Sequence, residues 1–291
     1  MSSPRVSIGM PVYNGERFIA QALDSLLAQT FTDFELLVVD NCSTDATQKI
    51  CRDYVARDGR VRYVRNDRNI GGPGNFNRVF ELCSGEYHKW STADDYWAPT
   101  VVEKGVALLD ADPELVLAYP RTRLVNDRGE LIRDHDDHLH LMEDSPATRF
   151  RRVVATSTLC HAHLGIVRRS AMLRTELMGG ELGSDIRFLA ELSLYGKFAV
   201  IPEYLFFRRF HEQASSWDRG DMQRQRAYYD PGRTGMFGMH TWRRFARLTA
   251  AAIRAPIGTR ERAKVIKFLG RRAMEQSGIL WREVKAMGHA R

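Results

Sequence analysis

The sequence predicts an α/β fold in which a single, mainly parallel sheet is flanked by helices. Short apolar runs alternate with amphipathic helical segments four times within about the first 95 residues, which is typical of parallel strands joined by crossover helices. A length of 291 residues suits one large α/β domain or two small ones. Polar residues directly follow the apolar runs, and such sheets bind ligands beyond the carboxyl ends of their strands.

The first four strands are predicted from apolar runs at residues 5–10, 34–39, 61–65 and 86–91. Helices are predicted between them at 16–29, 44–57 and 75–83, with Thr44 as the N-cap of the second. Asp40, Asn66 and the adjacent acids Asp94 and Asp95 each lie at or just past a strand end. We therefore expect these side chains to converge on one edge of the sheet.

The rest of the chain predicts fewer regular elements. A helix at 99–110 is expected to begin at Pro99, and strands are expected at 115–119 and 122–132 with a turn at 126–129. A polar loop follows at 133–146, then a helix at 184–195 and a pair of strands at 197–208 broken at Pro202. Residues 211–240 show little periodicity and are predicted to form a mobile segment.

The four cysteines are dispersed and form no C-x-x-C pair. This pattern indicates neither a zinc motif nor a redox motif, and it suits buried thiols in a reducing cytoplasm. The N-terminal residues lack the basic and apolar regions of a signal peptide, and no run of about 18 apolar residues is found. A cytoplasmic protein is expected.

The C-terminal region is strongly basic, since residues 241–291 hold 13 Lys and Arg against 3 Asp and Glu. Apolar and basic positions alternate there as in amphipathic helices. Such helices either lie on an anionic membrane surface or pack on their own domain, and the sequence favours neither. No nucleic-acid reader motif is present, so nucleic acid is not an expected partner.

Asp94 and Asp95 follow the fourth predicted strand. Adjacent carboxylates repel each other, so a nearby cation is needed to keep both ionised. Mg²⁺ and Mn²⁺ accept carboxylate oxygens and keep positions for phosphate oxygens. The pair is therefore a candidate site for a metal that neutralises a diphosphate group.

Two stretches of the chain, PRVSIGMPVYNGERFIAQALDSLLAQTFTDFELLVVDNCSTDAT and NDRNIGGPGNFNRVFELCSGEYHKWSTADDYW, resemble the family 2 glycosyltransferases. The resemblance implies a GT-A fold and inverting transfer of a sugar from a nucleotide-sugar, most commonly a UDP-sugar, with Mn²⁺ or Mg²⁺ as cofactor. It also implies a catalytic domain at 1–210, with a nucleotide-binding half (1–97) and an acceptor-side half (98–210). A mobile segment (211–240) and a basic helical region (241–291) would follow.

The resemblance assigns a set of residues to donor binding, and each is carried over by its match to a family motif. Asp95 is the expected direct metal ligand, whereas Asp94 is expected to contact the ribose or the sugar. The nucleotide-binding residues that the resemblance implies are Pro11, Val12, Tyr13, Asn14, Glu16, Asp40, Asn69, Gly71 and Asp94.

The resemblance is looser in the second half. Asp185 stands where the family has its catalytic base, although Ser184 replaces the more usual Glu. The segment Arg208-Arg209-Phe210-His211, followed by Ser215-Ser216, resembles a late Arg-x-His segment. His211 would complete the metal shell, and Arg208 and Arg209 would bind diphosphate or acceptor.

Histidines are concentrated in two further places. His135, Asp136, Asp137, His138 and His140 crowd one segment without the spacing of a defined metal site, and we interpret it as a polar loop. His161 and His163 are either ordinary core histidines or part of the acceptor side, and His163 is kept as an acceptor candidate.

The leading hypothesis is an inverting glycosyltransferase that acts on a glycan or a glycolipid, with peripheral contact of the inner face of the cell membrane through residues 241–291. The replacement at Ser184 leaves open a nucleotide-sugar-binding protein without transfer activity. A nucleotidyltransferase is a third alternative, although PVYNGER is not the Gly-rich basic loop that such enzymes usually have after the first strand.

Overall fold

One mixed sheet of nine strands forms the centre of the protein in a computed structural model that describes residues 3–156, 159–212, 221–229 and 239–288. The strands are β1 Val6–Val12, β2 Phe34–Asp40, β3 Val61–Arg65, β4 Tyr87–Trp90, β5 Tyr96–Trp97, β6 Leu115–Val125, β7 Leu131–His135, β8 Ile166–Arg168 and β9 Lys197–Arg209. Their order across the sheet is β3-β2-β1-β4-β8-β6-β9-β5, and β7 pairs with β6.

Helices cover the sheet. They are α1 Ile19–Leu27, α2 Thr47–Arg57, α3 Gly72–Leu82, α4 Val101–Ala111, α5 Pro146–Thr156, α6 Arg169–Met172, α7 Ser184–Leu192, α8 Met222–Tyr229, α9 His240–Arg254, α10 Thr259–Glu275 and α11 Ser277–Gly288, with a 3₁₀ helix η1 at His161–Leu164. Among them, α5, α6, α8 and the 3₁₀ helix η1 were not predicted from the sequence.

The parallel part of the sheet consists of β3, β2, β1 and β4. In β1 and β2 almost every residue is buried, as expected for strands that are covered on both faces. The α/β class and the flanking helices are therefore confirmed. Beyond β4 the pairing changes, because β8 runs antiparallel to both β4 and β6, and this makes the whole sheet mixed.

Two predicted helix starts were wrong. The second helix begins at Thr47 rather than at Thr44, because the Asp45 carboxylate accepts a hydrogen bond from the Thr47 amide and the Thr44 amide donates to Asn14 Oδ1. The fourth begins at Val101 rather than at Pro99, whose carbonyl accepts a hydrogen bond from the Thr30 amide. In both cases, residues that local preference would place in the helix instead form a hydrogen bond with another part of the chain.

Two predicted strand breaks were also wrong. β6 continues through Pro120, and the turn at 126–129 leads into β7, which ends at His135 inside the predicted loop. β9 is one strand whose pairing with β6 skips from Ile201 to Tyr204, so that Pro202 falls in the irregularity. A proline can be placed there because no ladder hydrogen bond is required of it.

The C-terminal helices α9 and α10 pack on the helices beside the sheet. α9 contacts α7, and α10 contacts α5 and α9. Leu248, Ala252 and Val265 are buried in this contact. Among the described residues, no helix combines the length and the apolar character that crossing a bilayer requires.

The prediction of a mobile segment at 211–240 stays a prediction. α8 occupies residues 222–229, whereas residues 213–220, which include Ser215 and Ser216, and residues 230–238 lie outside the described part of the chain.

Candidate active site

The carboxyl ends of β1, β2, β3 and β4 form one edge of the sheet, which we call the donor edge. Val12 at the end of β1 is paired with Asp40, and Asp40 is paired with Arg65 at the end of β3. The chain leaves β4 at Trp90 and reaches Asp94 and Asp95, the acidic pair, four residues later. The convergence that strand order predicted is therefore present.

The loop after β1 supports the loop after β2. Asn14 takes a positive φ of 52°, and its side-chain oxygen accepts a hydrogen bond from the Thr44 amide at 2.8 Å. Glu16 accepts one from the Ala46 amide at 2.8 Å. Tyr13 is half exposed and offers a ring to a ligand, whereas the side chain of Val12 is in the core and Pro11 is partly buried.

Asp40 is fully buried, and its carboxylate is held by three donors. Ser43 donates its amide at 2.8 Å, and the Tyr63 hydroxyl and the Arg65 guanidinium donate at 2.6 and 2.9 Å. Burial and the bond to Asp40 raise the pKa of the Tyr63 hydroxyl. Sequence reasoning identified Asp40 but missed Arg65, whose side chain is 31% exposed and extends the site towards solvent.

An open cleft of about 520 Å³ lies beside this cluster. Its lining residues come from the ends of β2 and β3 and from α2, and they are Cys42, Gln48, Arg52, Tyr63, Arg65, Asn66 and Asp67. The acidic pair is not among them, so this cleft covers only part of the donor edge.

The glycine turn before α3 is shaped by backbone geometry. Gly71 has φ of +81°, which favours glycine, and Asn69 Oδ1 accepts hydrogen bonds from the Gly71 amide and from Asn41. A Cβ on Gly72 would lie 2.4 Å from the ring of Tyr228. The turn is thus contacted closely by α8, which packs against it.

The acidic pair is joined to the end of β9. Asp94 Oδ2 lies 3.1 Å from His211 Nε2, and its side chain is 31% exposed. Asp95 is 3% exposed, and its carboxylate accepts hydrogen bonds from the Arg209 amide at 2.8 Å and from the Thr92 hydroxyl. In this structure it is therefore Asp94 that faces His211, whereas Asp95 lies deeper.

The two acids differ in their protonation. Burial and the charge of Asp94 raise the pKa of Asp95 to about 7. Burial would also raise the pKa of Asp94, but the bond to His211 and the charge of Arg208 outweigh it and lower that pKa. Two carboxylates this close ionise together only when a cation compensates them. The carboxylates of Asp94 and Asp95 and the imidazole of His211 are the types of donor that Mn²⁺ accepts.

The two predicted arginines have different surroundings. Arg209 is 3% exposed and donates to the Asp94 carbonyl, to the carbonyls of Asn126 and Asp127, and to Gln21. Arg208 is partly exposed, and its charge reaches the acidic pair. Arg209 holds the site together through these bonds, whereas Arg208 brings positive charge to the acidic pair.

Asp185 lies in the first turn of α7, where its Oδ1 accepts a hydrogen bond from the Ile186 amide at 2.8 Å. His163 on η1 is close by: burial lowers the pKa of its ring, and the charge of Asp185 acts in the opposite direction. The charge of Arg208 also reaches His163.

A buried ion network holds α7. Arg187 is fully buried and pairs with Glu181 at 2.6 Å and with Glu191 at 3.3 Å, both of which are also buried. From α9, Arg247 pairs with Glu181 at 3.0 Å, and Arg254 pairs with Glu191 at 2.9 Å. The helix that begins with Ser184 and Asp185 is thus fixed to the C-terminal region.

The parallel strands, the acidic pair at their ends and the antiparallel extension define an α/β fold of the GT-A type. The family model described as "Glycosyl transferase family 2" matches residues 7–174, more than half of the chain. The chain belongs to the family 2 glycosyltransferases.

Curated relatives are similar over part of their length. Chondroitin synthase of Escherichia coli is 28% identical over 224 residues, which cover 76% of this chain and 31% of that protein. An uncharacterized protein of Mycobacterium tuberculosis is 37% identical over 207 residues, which cover 68% of this chain and 57% of that one. The chain thus spans about a third and somewhat over half of these two relatives.

Solved structures share the fold. Staphylococcus aureus TarS 1-349, solved in complex with UDP-GlcNAc, has a TM-score of 0.68 at 18% identity and covers 93% of this chain and 73% of its own. The mannosyltransferase PcManGT from Pyrobaculum calidifontis, solved with GDP-Man and Mn²⁺, has a TM-score of 0.60 at 17% identity and covers 100% and 76%. At such identities the likeness extends to the fold alone.

Proposed function

We propose that this glycosyltransferase moves a sugar from a nucleotide-sugar, first of all a UDP-sugar, to an acceptor hydroxyl with inversion at the anomeric carbon. The observation that carries the proposal is the placement of Asp94 and His211 3.1 Å apart, beside Asp95. The charges of Asp185 and Arg208 both act on His163, and the charge of Arg208 also acts on Asp94. A nucleotide would bind at the donor edge, and the acceptor would enter on the side of Asp185.

Asp95 and His211 would hold Mn²⁺ or Mg²⁺. A cation bound there would neutralise the diphosphate leaving group as the sugar bond breaks. Arg208 would add positive charge on the same side. Asp95 is proposed as the direct ligand, with Asp94 on the ribose or the sugar.

Asp185 would remove the proton of the acceptor hydroxyl while its oxygen attacks the anomeric carbon. The bond from that carbon to the diphosphate oxygen breaks as the new bond forms on the opposite face, so that the configuration inverts. Asp185 lies in the first turn of a helix, and the Ile186 amide orients its carboxylate.

The Asp185→Asn variant tests this assignment. We expect transfer to fall about 10²- to 10⁴-fold, the usual contribution of general acid–base catalysis, whereas binding of UDP with Mn²⁺ is unchanged. The matched control is Asp53→Asn, a surface acid paired with Lys49. Transfer at the wild-type rate in Asp185→Asn would refute the assignment of the base.

The donor is tested by thermal unfolding with UDP, GDP and dTDP, each with and without Mn²⁺. Ligand binding raises the melting temperature through mass action, and we expect the largest rise for UDP with Mn²⁺. TarS with UDP-GlcNAc and PcManGT with GDP-Man are the structural neighbours that motivate the comparison. A larger rise with GDP or dTDP would reject UDP, and slow hydrolysis of the preferred donor would exclude a purely binding protein.

The acceptor is proposed to be a glycan or a glycolipid at a membrane surface. α9, α10 and α11 bury one face against the domain but leave Trp281 at 65% and Met274 at 71% exposure in a strongly basic region. Basic helices with exposed aromatic residues bind anionic lipid surfaces. We expect cosedimentation with anionic but not neutral vesicles, and weaker binding of Trp281→Ala. Equal binding to both vesicles would contradict the proposal.

A further inference from the structure

A second polar cluster lies away from the acidic pair. His135 ends β7, Asp137 follows it, and His161 comes from η1. The side chains of His135 and Asp137 are 9% and 2% exposed, and His161 is 4% exposed. The interpretation of residues 135–140 as a polar loop holds for exposed residues such as His138, but it does not describe His135 and Asp137, which converge on a histidine 24 residues or more further along the chain.

The three side chains have a geometry that suits a metal. His135 Nε2 lies 2.8 Å from Asp137 Oδ1, and the ligand atoms of all three residues lie within 4.8 Å of one another. The rings of His135 and His161 have centroids 5.2 Å apart and planes inclined by 71°. Two imidazoles bound to one zinc ion at a tetrahedral angle would have centroids about 5 Å apart.

Hydrogen bonds behind the cluster orient two of the three candidate ligands. His161 Nδ1 lies 3.0 Å from the Thr122 hydroxyl, which leaves Nε2 as the ligand atom, and Asp137 Oδ2 accepts a hydrogen bond from the Ala162 amide at 2.7 Å. Outer bonds of this kind fix the tautomer and the orientation of metal-binding side chains. The cluster therefore has an arranged support as well as three suitable donors.

We propose that His135, Asp137 and His161 bind a divalent transition metal of the zinc type. Two imidazoles and one carboxylate favour such an ion over Mg²⁺, which prefers oxygen ligands throughout. The ion would connect the end of β7 to η1, the element that carries His163 towards Asp185. This site is separate from the acidic pair and does not depend on the proposed function.

The test is zinc and cobalt binding to the full chain after removal of metals with a chelator. The protein used in this test carries the substitutions Asp94→Asn, Asp95→Asn and His211→Ala, so that no metal ion binds at the acidic pair. We expect one equivalent of Zn²⁺ to bind, and Co²⁺ to give the intense visible absorption of a tetrahedral site. Replacing a metal's outer hydrogen-bonding partner costs about 10- to 100-fold in affinity, so Thr122→Val is expected to weaken binding by about tenfold.

Two variants separate this cluster from other histidines. His135→Gln in the same background should abolish stoichiometric binding, whereas His138→Gln, at an exposed position of the same segment, should leave it unchanged. Absence of stoichiometric Zn²⁺ binding to the folded parent would overturn the proposal. Equal affinity in the parent and in His135→Gln would do so as well, because the ion would then sit elsewhere.

Discussion

The two halves that we propose, a donor half (residues 1–97) and an acceptor-side half (residues 98–210), bring their polar residues together in different ways. In the donor half, strand order alone places Asp40 and the acidic pair at one edge. In the acceptor-side half, Asp185, His163 and the buried Arg187 are placed by antiparallel pairing and by helices from the C-terminal region. The polar residues of the donor half are thus positioned by neighbouring elements, whereas those of the acceptor-side half are positioned by contacts between segments distant in the sequence.

The halves also differ in how they bury polar groups. His88 on β4 is fully buried among the rings of Phe80 and Trp90, and burial lowers the pKa of its ring to about 3, so that it is neutral. Arg187 is equally buried but lies among carboxylates. Removing a neutral buried group and removing one member of a charged network should therefore have different consequences.

Replacing Arg187 should have the largest effect and tests whether the acceptor-side half depends on its ion network. Arg187→Met leaves Glu181 and Glu191 buried without their central partner, which costs about 3–5 kcal/mol of unfolding free energy. Urea denaturation measures the change. The control is Arg123→Met, in an exposed pair with Asp134, where about 1 kcal/mol or less is expected. A loss as small as that of the control would mean that the network is not a stability determinant.

Replacing Asp94 and Asp95 one at a time tests which of the two acids in the donor half is the direct metal ligand. Losing the direct metal ligand should lower transfer by about 10²- to 10³-fold, since metal ions supply several kcal/mol of charge stabilisation. We expect Asp95→Asn to lose Mn²⁺-dependent binding of UDP, measured by calorimetry, and Asp94→Asn to keep it in weakened form. The reverse order would make Asp94, which faces His211, the ligand.

A smaller effect is expected for the turn before α3. Gly71 has φ of +81° and ψ of 160°, a region almost restricted to glycine, so that Gly71→Ala should cost about 1–3 kcal/mol. The matched control is Gly59→Ala, where no atom lies within 4 Å of the added methyl. Thermal unfolding and UDP binding report on fold and donor site together. Equal melting temperatures for the two variants would show that the turn relaxes freely.

The smallest effect concerns pH. The pKa of His88 is lowered from 6.5 to about 3 on folding. Between these two pH values the unfolded chain binds a proton at His88 and the folded chain does not. The contribution of the neutral His88 ring to the free energy of unfolding is fully present above pH 6.5. It is lost as the pH falls below this value, by about 1.4 kcal/mol per pH unit. Urea denaturation between pH 7 and pH 5 should show a shallower dependence in His88→Leu than in wild type. Parallel curves would mean that another group controls acid stability.

The sequence was a good guide where neighbouring elements determine position. The alternation of strands and helices predicted the parallel strands β1–β4, and with them the position of the acidic pair. Hydrogen-bond partners were beyond this reasoning. Nothing local in the sequence indicates that Arg65 and Tyr63 hold Asp40, or that Asp95 accepts the amide of Arg209 from more than a hundred residues away.

The acceptor side was harder to predict for a physical reason. β8 has only three residues, Ile166–Arg168. Its position between β4 and β6 comes from antiparallel pairing with both of these strands. A run this short carries no periodicity. His135 ends β7 and His161 lies on η1, just before β8. The two histidines meet because β7 and β8 both pair with β6, and the sequence does not specify this pairing.

The contact of Arg247 and Arg254 with the carboxylates beside α7 has a consequence for recombining this chain with its relatives. α9 lies outside residues 7–174, the span that identifies the family. A chimera with its crossover after residue 210 would combine one parent's acidic side chains with another's basic ones. Such hybrids should exchange residues 176–191 and 240–254 as one unit, since matched charges across this contact decide whether α7 keeps its position.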